Sequence, residues 1–273
     1  RQPWVVHPRT GDGWLGRVFD AQAKELVGKV PGVALGTGQL PLSLVSTKFT
    51  VPMVNSLKDY QLQLAGSKAE QAAQRKRMRE LAGNGTGGNS NLDFLRRTAA
   101  TALDTSGRIS EVLTDYQPAK SYPDSGLARR LKSVAQLITA DLGARVFFVS
   151  LDGFDTHSKQ KGAHASLVGE LSSALTAFYA DLKGHGLGDR VLTATFSEFG
   201  RRVKENGSLG TDHGAAGPMF LVGQGVKGGV QGKHPSLSDL DQGDLKHHTD
   251  FRSVYTTLLE DWLGWEAQAA VGG

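Results

Sequence analysis

Residues 146–151 (VFFVSL) form a short segment that is apolar on both faces, as is typical of a central strand in a parallel sheet. An amphipathic helix is predicted next, because apolar residues recur at helical spacing from Leu167 to Leu182. A second apolar segment, residues 191–196 (VLTATF), follows that helix. Strand, helix and strand in succession make a βαβ unit. We therefore expect the two strands to be parallel strands of one sheet.

The rest of the chain adds helices around this unit. Residues 56–142 carry apolar residues at helical spacing and no strand pattern, which predicts a helical insertion, with a glycine-rich loop at residues 83–89. A third apolar segment, residues 219–222, follows the second strand without a helix between them, which favours an antiparallel strand. A closing amphipathic helix is predicted to begin near Asp250 and to end at Gly264.

These patterns predict the fold class and the domain organisation. We expect one α/β domain over residues 1–273, in which helices flank a mixed, mostly parallel sheet. Residues 145–273 are expected to form its α/β core and to carry the functional site.

Composition excludes several classes of function. The 273 residues include 31 basic and 27 acidic side chains, a net charge of +4 that is too small to indicate nucleic acid as a partner. The basic residues between Lys68 and Arg79 have no aromatic residues among them and are expected to form a solvated helix face. The absence of cysteine excludes disulfides, thiol nucleophiles and cysteine-bound metals. No apolar run approaches the ~18 residues of a membrane-spanning helix.

Polar residues follow both predicted strands of the βαβ unit, where ligands bind in α/β sheets. Asp155 and His157 follow the first strand, and Glu198 follows the second. Asp212 and His213 lie in a glycine-rich segment before the third apolar segment. If that strand is antiparallel, its beginning faces the same edge of the sheet. All three clusters can then meet there.

Carboxylates and imidazoles together suit divalent ions such as Zn²⁺ or Mn²⁺. Two such ions about 4 Å apart can clamp the attacking and leaving oxygens of a phosphoryl or sulfuryl transfer. Each cluster also has a structural interpretation, since Asp155 can cap a helix or close a turn and Asp212 can form an Asx turn. The residue pattern alone leaves both interpretations open.

Four ordered motifs resemble the family called domain of unknown function 1501. They are residues 153–157 (GFDTH), 197–201 (SEFGR), 210–214 (GTDHG) and 249–255 (TDFRSVY), and residues 13–17 (GWLGR) fit as well. The match covers essentially the whole chain. That family is similar to the alkaline phosphatase and sulfatase superfamily, whose site lies at the carboxyl edge of a mixed sheet and usually holds one or two divalent metals. Its members typically carry a twin-arginine export signal.

The resemblance implies an exported, metal-dependent hydrolase of phosphate or sulfate esters, located in the periplasm or at the cell surface. Its substrate would be a small-molecule or glycan ester. One or two ions, Zn²⁺, Mn²⁺ or Ca²⁺, would be bound by Asp155, His157, Asp212 and His213. Glu198 is implied as a further ligand or general base, and Arg201 as the group that holds the anion. Besides a water activated by the metal, the candidate nucleophiles are the hydroxyls of Ser197, Thr156, Ser158 and Thr211.

The sequence departs from the superfamily pattern at two places. The superfamily usually has an Asp-His pair where this chain has Glu198 and Phe199, and a phenylalanine cannot bind metal. The superfamily also draws a metal-binding aspartate and the nucleophile from a strand that precedes residues 13–17, so we expect this chain to lack the N-terminal part of the sheet. Both departures favour an alternative, a non-catalytic relative that binds a surface glycan or a protein partner through residues 56–142.

Overall fold

The computed structural model describes residues 12–26, 29–36, 38–57, 62, 64–83 and 90–271. The chain divides into two compact units. Unit 1 comprises Arg1–Tyr116, Gln136–Val149 and Tyr255–Gly273, and unit 2 comprises Gln117–Ala135 and Ser150–Val254. Residues 84–89, most of the predicted glycine-rich loop, lie outside the described residues.

Helices and short strands make up the described chain. The α-helices are α1 (Trp14–Ala21), α2 (Ala23–Leu26), α3 (Lys68–Gly83), α4 (Ser90–Asp115), α5 (Gly126–Thr139), α6 (Gln160–Gly184), α7 (Phe251–Thr257) and α8 (Gln268–Val271). The strands are β1 (Gly32–Leu35), β2 (Met53–Val54), β3 (Val146–Val149), β4 (Thr193–Ala194), β5 (Gly200–Glu205), β6 (Thr211–Gly214), β7 (Leu221–Val222), β8 (Leu240–Asp241) and β9 (Asp244–Leu245). The described helices include none that is both long and apolar enough to cross a bilayer.

Unit 1 is built on a parallel three-stranded sheet in the order β2-β1-β3. All four residues of the central strand, β1, are buried, and Ala34 pairs with both Met53 and Phe148. The core beside the sheet contains Leu15, Val18, Phe19, Leu26, Ala34, Leu44, Val51, Leu259, Trp265, Ala267 and Ala270. In that core the rings of Phe19 and Trp265 meet edge to face, with centroids 6.1 Å apart. This apolar burial is the main stabilising term of unit 1.

Helix α1 begins within the motif of residues 13–17 and packs closely against the backbone of residues 42–46. A Cβ atom on Gly13 would overlap the carbonyl oxygen of Leu42, and one on Gly16 would overlap that of Val45. Only glycine permits this approach, which explains the two glycines of the GWLGR motif.

Unit 2 contains antiparallel strand pairs. β4 pairs with β7, β5 with β6 and β8 with β9, and the ladder between β5 and β6 is interrupted by a register shift. The long helix α6 carries Asp181, whose fully buried carboxylate accepts hydrogen bonds from the backbone N–H of Ala119 and the hydroxyl of Tyr122, each at 2.7 Å. The carboxylate therefore fixes the segment that leads into α5.

The structure confirms the mixed α/β class and several predicted elements. The first predicted strand is observed as β3, the predicted helix as α6, and the third apolar segment as the antiparallel strand β7. Helix α7 begins after Asp250, whose carboxylate accepts the backbone N–H of Arg252 at 2.9 Å, and a π-helical turn carries the chain on to Gly264. The described part of residues 56–142 contains the helices α3, α4 and α5, joined by irregular segments, and no strand.

The prediction that the two strands belong to one parallel βαβ unit is wrong. β4 is only two residues long and pairs antiparallel with β7, whereas β3 pairs with β1. Among the described strands, β3 and β4 do not pair with each other. Instead, all four residues of β3 pair with the fully buried strand β1, and β4 belongs to a separate two-stranded sheet. Periodicity in a sequence indicates how deeply a strand is buried, but it does not identify the neighbour of that strand.

Asp20, at the end of α1, has its carboxylate held by a loop of unit 1. Its two oxygens accept hydrogen bonds from the hydroxyls of Ser46 (2.5 Å) and Thr47 (2.8 Å) and from the backbone N–H groups of Thr47 (3.0 Å) and Lys48 (2.9 Å). Burial raises the pKa of this carboxyl, but the four hydrogen bonds outweigh burial and hold the pKa below its usual value. The ionised carboxylate therefore stabilises the folded loop.

Replacing Asp20 should destabilise unit 1 in a pH-dependent way. Asp20→Ala leaves two backbone N–H groups without their acceptor, which should cost about 1–3 kcal/mol of unfolding free energy at neutral pH. Because the folded-state pKa lies below the usual 3.8, the stabilisation is complete above that value and is lost as the pH falls through the folded-state pKa. The difference between wild type and variant should therefore shrink in acid.

Urea denaturation, monitored by tryptophan fluorescence, measures the difference in unfolding free energy between wild type and variant. The fluorescence reports on unit 1, since all four tryptophans belong to the ranges of that unit. Asp104→Ala is the matched control, because Asp104 is 66% exposed and only pairs with Arg79 on the surface. Equal unfolding free energies for Asp20→Ala and Asp104→Ala at neutral pH would contradict the assignment.

Candidate metal centre

Three potential metal ligands converge in unit 2, on two segments that are far apart in sequence. Asp155 and His157 lie just before α6, and His213 lies on β6. The β5–β6 hairpin, residues 200–214, sets Arg201 directly opposite His213, so both side chains project from the same face of the hairpin. Backbone pairing therefore decides which side chains reach Asp155.

The three-donor cluster consists of Asp155, His157 and His213, with one donor atom from each residue within 4.8 Å of the others. The Nε2 atoms of His157 and His213 lie 2.9 Å and 2.7 Å from the same carboxylate oxygen, Oδ1 of Asp155. Between 48% and 58% of each side chain is exposed, so solvent reaches the cluster. The described residues contain no other group of three such donors.

Positive charge and hydrogen bonds keep Asp155 ionised. The hydrogen bond from His213, the charges of the two imidazoles and a hydrogen bond from Arg201 hold the pKa of Asp155 below its usual value, against a smaller opposing effect of desolvation. An ionised carboxylate is the form that binds a cation.

Asp212, predicted as a ligand, lies outside the three-donor cluster. Its Oδ1 is 3.4 Å from Nδ1 of His157, whereas the other ring nitrogen, Nε2, faces Asp155. The ring of His157 therefore stands between the two carboxylates. A carboxylate in this place orients an imidazole and does not share its metal-facing atom.

Arg201, predicted to hold an anion, is occupied by the protein itself. Its Nη1 donates to the carbonyl of Thr211 at 2.7 Å, and its Nη2 donates to the carbonyl of Phe154 and to Oδ1 of Asp155, the latter at 3.0 Å. The Nε atom is buried and has no hydrogen-bond partner among the described residues. The guanidinium thus ties the β5–β6 hairpin to the segment that carries Asp155.

Phe199 stacks on a ligand of the cluster. Its ring lies parallel to the imidazole of His213, with centroids 4.1 Å apart and planes 5° apart, and Arg201 approaches the same ring to 5.0 Å. The residue cannot bind metal, but it fixes the plane of a ring that can. Glu198 and Ser197 precede it and are exposed, outside the three-donor cluster. Ser197 Oγ accepts the backbone N–H of Phe199 at 3.4 Å.

Sequence reasoning missed the residues that hold the turn of the β5–β6 hairpin against residues 157–160. The backbone N–H groups of Lys159 and Gln160 donate to the carbonyls of Ser208 (3.0 Å) and Leu209 (2.9 Å). A Cβ atom on Gly210 would overlap the carbonyl group of His157. The available signal was Asn206 followed by glycine, a typical turn dipeptide between strands.

A methyl group on Gly210 should loosen this docking. In Gly210→Ala the turn must move away from His157, so the two amides that it protects open more often. Hydrogen exchange at Lys159 and Gln160 should become about tenfold faster, equivalent to ~1.4 kcal/mol. Gly207→Ala is the matched control, because a Cβ atom there meets nothing within 4 Å. Unchanged exchange in Gly210→Ala would show that the turn is not held in this way.

Comparison with known proteins places the chain in a family. Neither curated proteins nor solved structures include a match to it. A family model described as a protein of unknown function (DUF1501) matches residues 2–261, which is nearly the whole chain. The motifs at residues 153–157, 197–201 and 210–214, which carry or contact the three-donor cluster, all lie inside that match. The chain therefore belongs to the DUF1501 family.

Proposed function

We propose that this protein is a metal-dependent hydrolase of phosphate or sulfate esters, related to the alkaline phosphatase and sulfatase superfamily. The observation that carries the proposal is the three-donor cluster, in which two imidazoles and an ionised carboxylate meet at an exposed site. The proposed location, the periplasm or cell surface, follows from the family resemblance. The proposed substrate is a small-molecule or glycan ester.

The residues of the cluster fit a divalent ion. In a tetrahedral site with metal–ligand distances of ~2.1 Å, two ligand atoms lie about 3.4 Å apart. The Nε2 atoms of His157 and His213 are 2.9 Å and 2.7 Å from Oδ1 of Asp155, so these two distances would have to lengthen by about 0.5 Å and 0.7 Å to admit an ion. Imidazole nitrogens with one carboxylate suit Zn²⁺ or Mn²⁺, whereas Ca²⁺ prefers oxygen ligands throughout. We therefore favour Zn²⁺ or Mn²⁺.

The number of donors supports a catalytic site. Structural zinc sites are closed by four protein ligands, whereas catalytic sites use three and leave a position open. The cluster supplies three donors and faces solvent, which leaves room for a substrate oxygen. A divalent ion, when bound, supplies Lewis-acid polarisation of the ester oxygen.

The other residues of the site have distinct proposed roles. Arg201 holds Asp155, and Phe199 holds the ring of His213. Exposed Glu198 is the proposed general base, which takes the proton from the attacking group. Ser197, next to it, remains a candidate nucleophile beside water. Since Arg201 already donates to three acceptors of the protein, we assign it a supporting role instead of anion binding.

One observation favours the alternative, a non-catalytic protein that binds a glycan or a protein partner. The guanidinium of Arg201 contacts Oδ1 of Asp155 at 3.0 Å, so the protein supplies a cation of its own to the carboxylate. In that case the cluster is an ion-pair network that fastens the hairpin. The two functions differ in whether the cluster takes up a metal.

Metal content measured by mass spectrometry separates them. After dialysis against Zn²⁺, the wild type should retain close to one equivalent, and His213→Ala and Asp155→Ala should lose it. Hydrolysis of p-nitrophenyl phosphate or p-nitrophenyl sulfate should fall in parallel by more than about 100-fold, since loss of a direct ligand exceeds the 10–100-fold effect of an outer partner. His234→Ala is the control, because His234 is exposed and lies outside the cluster.

Two outcomes would count against the hydrolase. Retention of zinc by His213→Ala and Asp155→Ala would exclude the cluster as the binding site. Zinc that depends on the cluster without hydrolysis of either ester would favour the binding protein.

The role of Arg201 can be tested separately. Arg201→Lys keeps the charge but loses the fork that reaches both backbone carbonyls. If Arg201 supports Asp155, zinc affinity should fall by about tenfold, and KM for the ester at saturating zinc should stay unchanged. If Arg201 holds the anion, KM should rise at unchanged zinc affinity. Arg202→Lys is the matched control, since Arg202 is on the same strand and pairs with Asp244 at 3.5 Å, away from the three-donor cluster.

A further inference from the structure

We propose that Asn206 is a positioning residue that sets the ring of His157 in the three-donor cluster. This inference rests on the proposed metal site. Asn206 follows β5 in the turn of the β5–β6 hairpin and is only partly exposed. Its side-chain amide joins the turn to His157 and to Asp212 at the same time.

The amide nitrogen of Asn206 contacts both the backbone of His157 and the carboxylate that faces its ring. Asn206 Nδ2 donates to the backbone carbonyl of His157 at 2.9 Å and to Oδ1 of Asp212 at 3.4 Å. That same carboxylate oxygen lies 3.4 Å from Nδ1 of His157. One NH₂ group therefore fixes the backbone of His157 and the carboxylate that its ring faces.

The amide oxygen has a different task. Asn206 Oδ1 accepts the backbone N–H groups of Ser208 at 2.9 Å and Gly210 at 3.1 Å, and the backbone N–H of Asn206 donates to the carbonyl of Gly210 at 2.8 Å. These bonds close the turn that docks onto residues 157–160. An aspartate could accept the same two bonds, because they need only an oxygen.

The turn therefore does not require the NH₂ group, but the cluster does. A neutral donor beside Asp212 holds that carboxylate toward Nδ1 of His157 and adds no charge. With Nδ1 engaged, the ring presents Nε2 to Asp155. Metal-binding histidines are oriented through their second nitrogen in this way, and the loss of such partners weakens metal binding.

Asn206→Asp separates the two tasks. It retains the oxygen that closes the turn and removes the donors to His157 and Asp212. Ser208→Asp is the matched control, since it adds the same charge to the same exposed turn and leaves the amide of Asn206 in place. Both variants add one negative charge, which by itself attracts a cation. A difference between them therefore reports the loss of the amide and not the added charge.

The decisive readout is the ¹⁵N spectrum of the His157 ring in the metal-free protein. In Asn206→Asp the ring nitrogen shifts should move toward the averaged values of an imidazole that exchanges freely between its two tautomers, and in Ser208→Asp they should stay as in the wild type. Ring shifts that are the same in Asn206→Asp as in Ser208→Asp would overturn the inference. This readout stands even if the wild type binds no metal, an outcome that would sink the proposed function alone.

Zinc affinity then gives the size of the effect. By chelator competition, the Kd of Asn206→Asp should exceed that of Ser208→Asp by about tenfold or more. Equal Kd values in two zinc-binding variants would also overturn the inference, because a residue that positions a ligand must alter the binding of the ion. Neither measurement depends on ester hydrolysis.

Discussion

One carboxylate oxygen holds the candidate site together. Oδ1 of Asp155 lies within 3.0 Å of donor atoms from His157, His213 and Arg201. The first of these residues precedes α6 with Asp155, and the other two lie on the β5–β6 hairpin. Because all three partners carry or can accept positive charge, they favour the ionised form of this carboxyl, in agreement with its lowered pKa.

Exposed ion pairs contribute little to stability, so these contacts alone cannot hold the hairpin in place. The position of the hairpin depends instead on buried or backbone features. These features are the two hydrogen bonds from residues 159–160 to the turn, the close approach at Gly210, the ring stack of Phe199 and the amide of Asn206. Backbone hydrogen bonds and the buried Gly210 therefore position an exposed cluster.

The sequence predicted individual helices and strands better than their arrangement. Apolar runs and helical spacing identified β3 and α6, and the residues at their ends included two members of the three-donor cluster. The same reasoning placed β3 and β4 in one parallel unit, because periodicity does not identify the sheet to which a strand belongs. It also placed Asp212 and His213 in a loop, so it could not use the alternation of successive side chains on a strand to separate them. Asn206 was missed because an asparagine before a glycine is explained by the turn alone. The sequence does not show that its NH₂ group also contacts His157 and Asp212.

The position of Arg201 bears on both proposed functions. The contacts of Asp155 with His157, His213 and Arg201 all fall on Oδ1, and Oδ2 has no such donor among the described residues. In the proposed metal site Oδ2 is therefore open to a further contact with the ion, while the guanidinium stays on Oδ1. Because the guanidinium of Arg201 stays beside Asp155, the binding of a metal gains less electrostatic free energy. The same guanidinium holds the side chain of Asp155 in place when no metal is bound. A binding site that is preorganised in this way gives up some affinity and retains its geometry when empty, because the cost of ordering the ligands has already been met in folding.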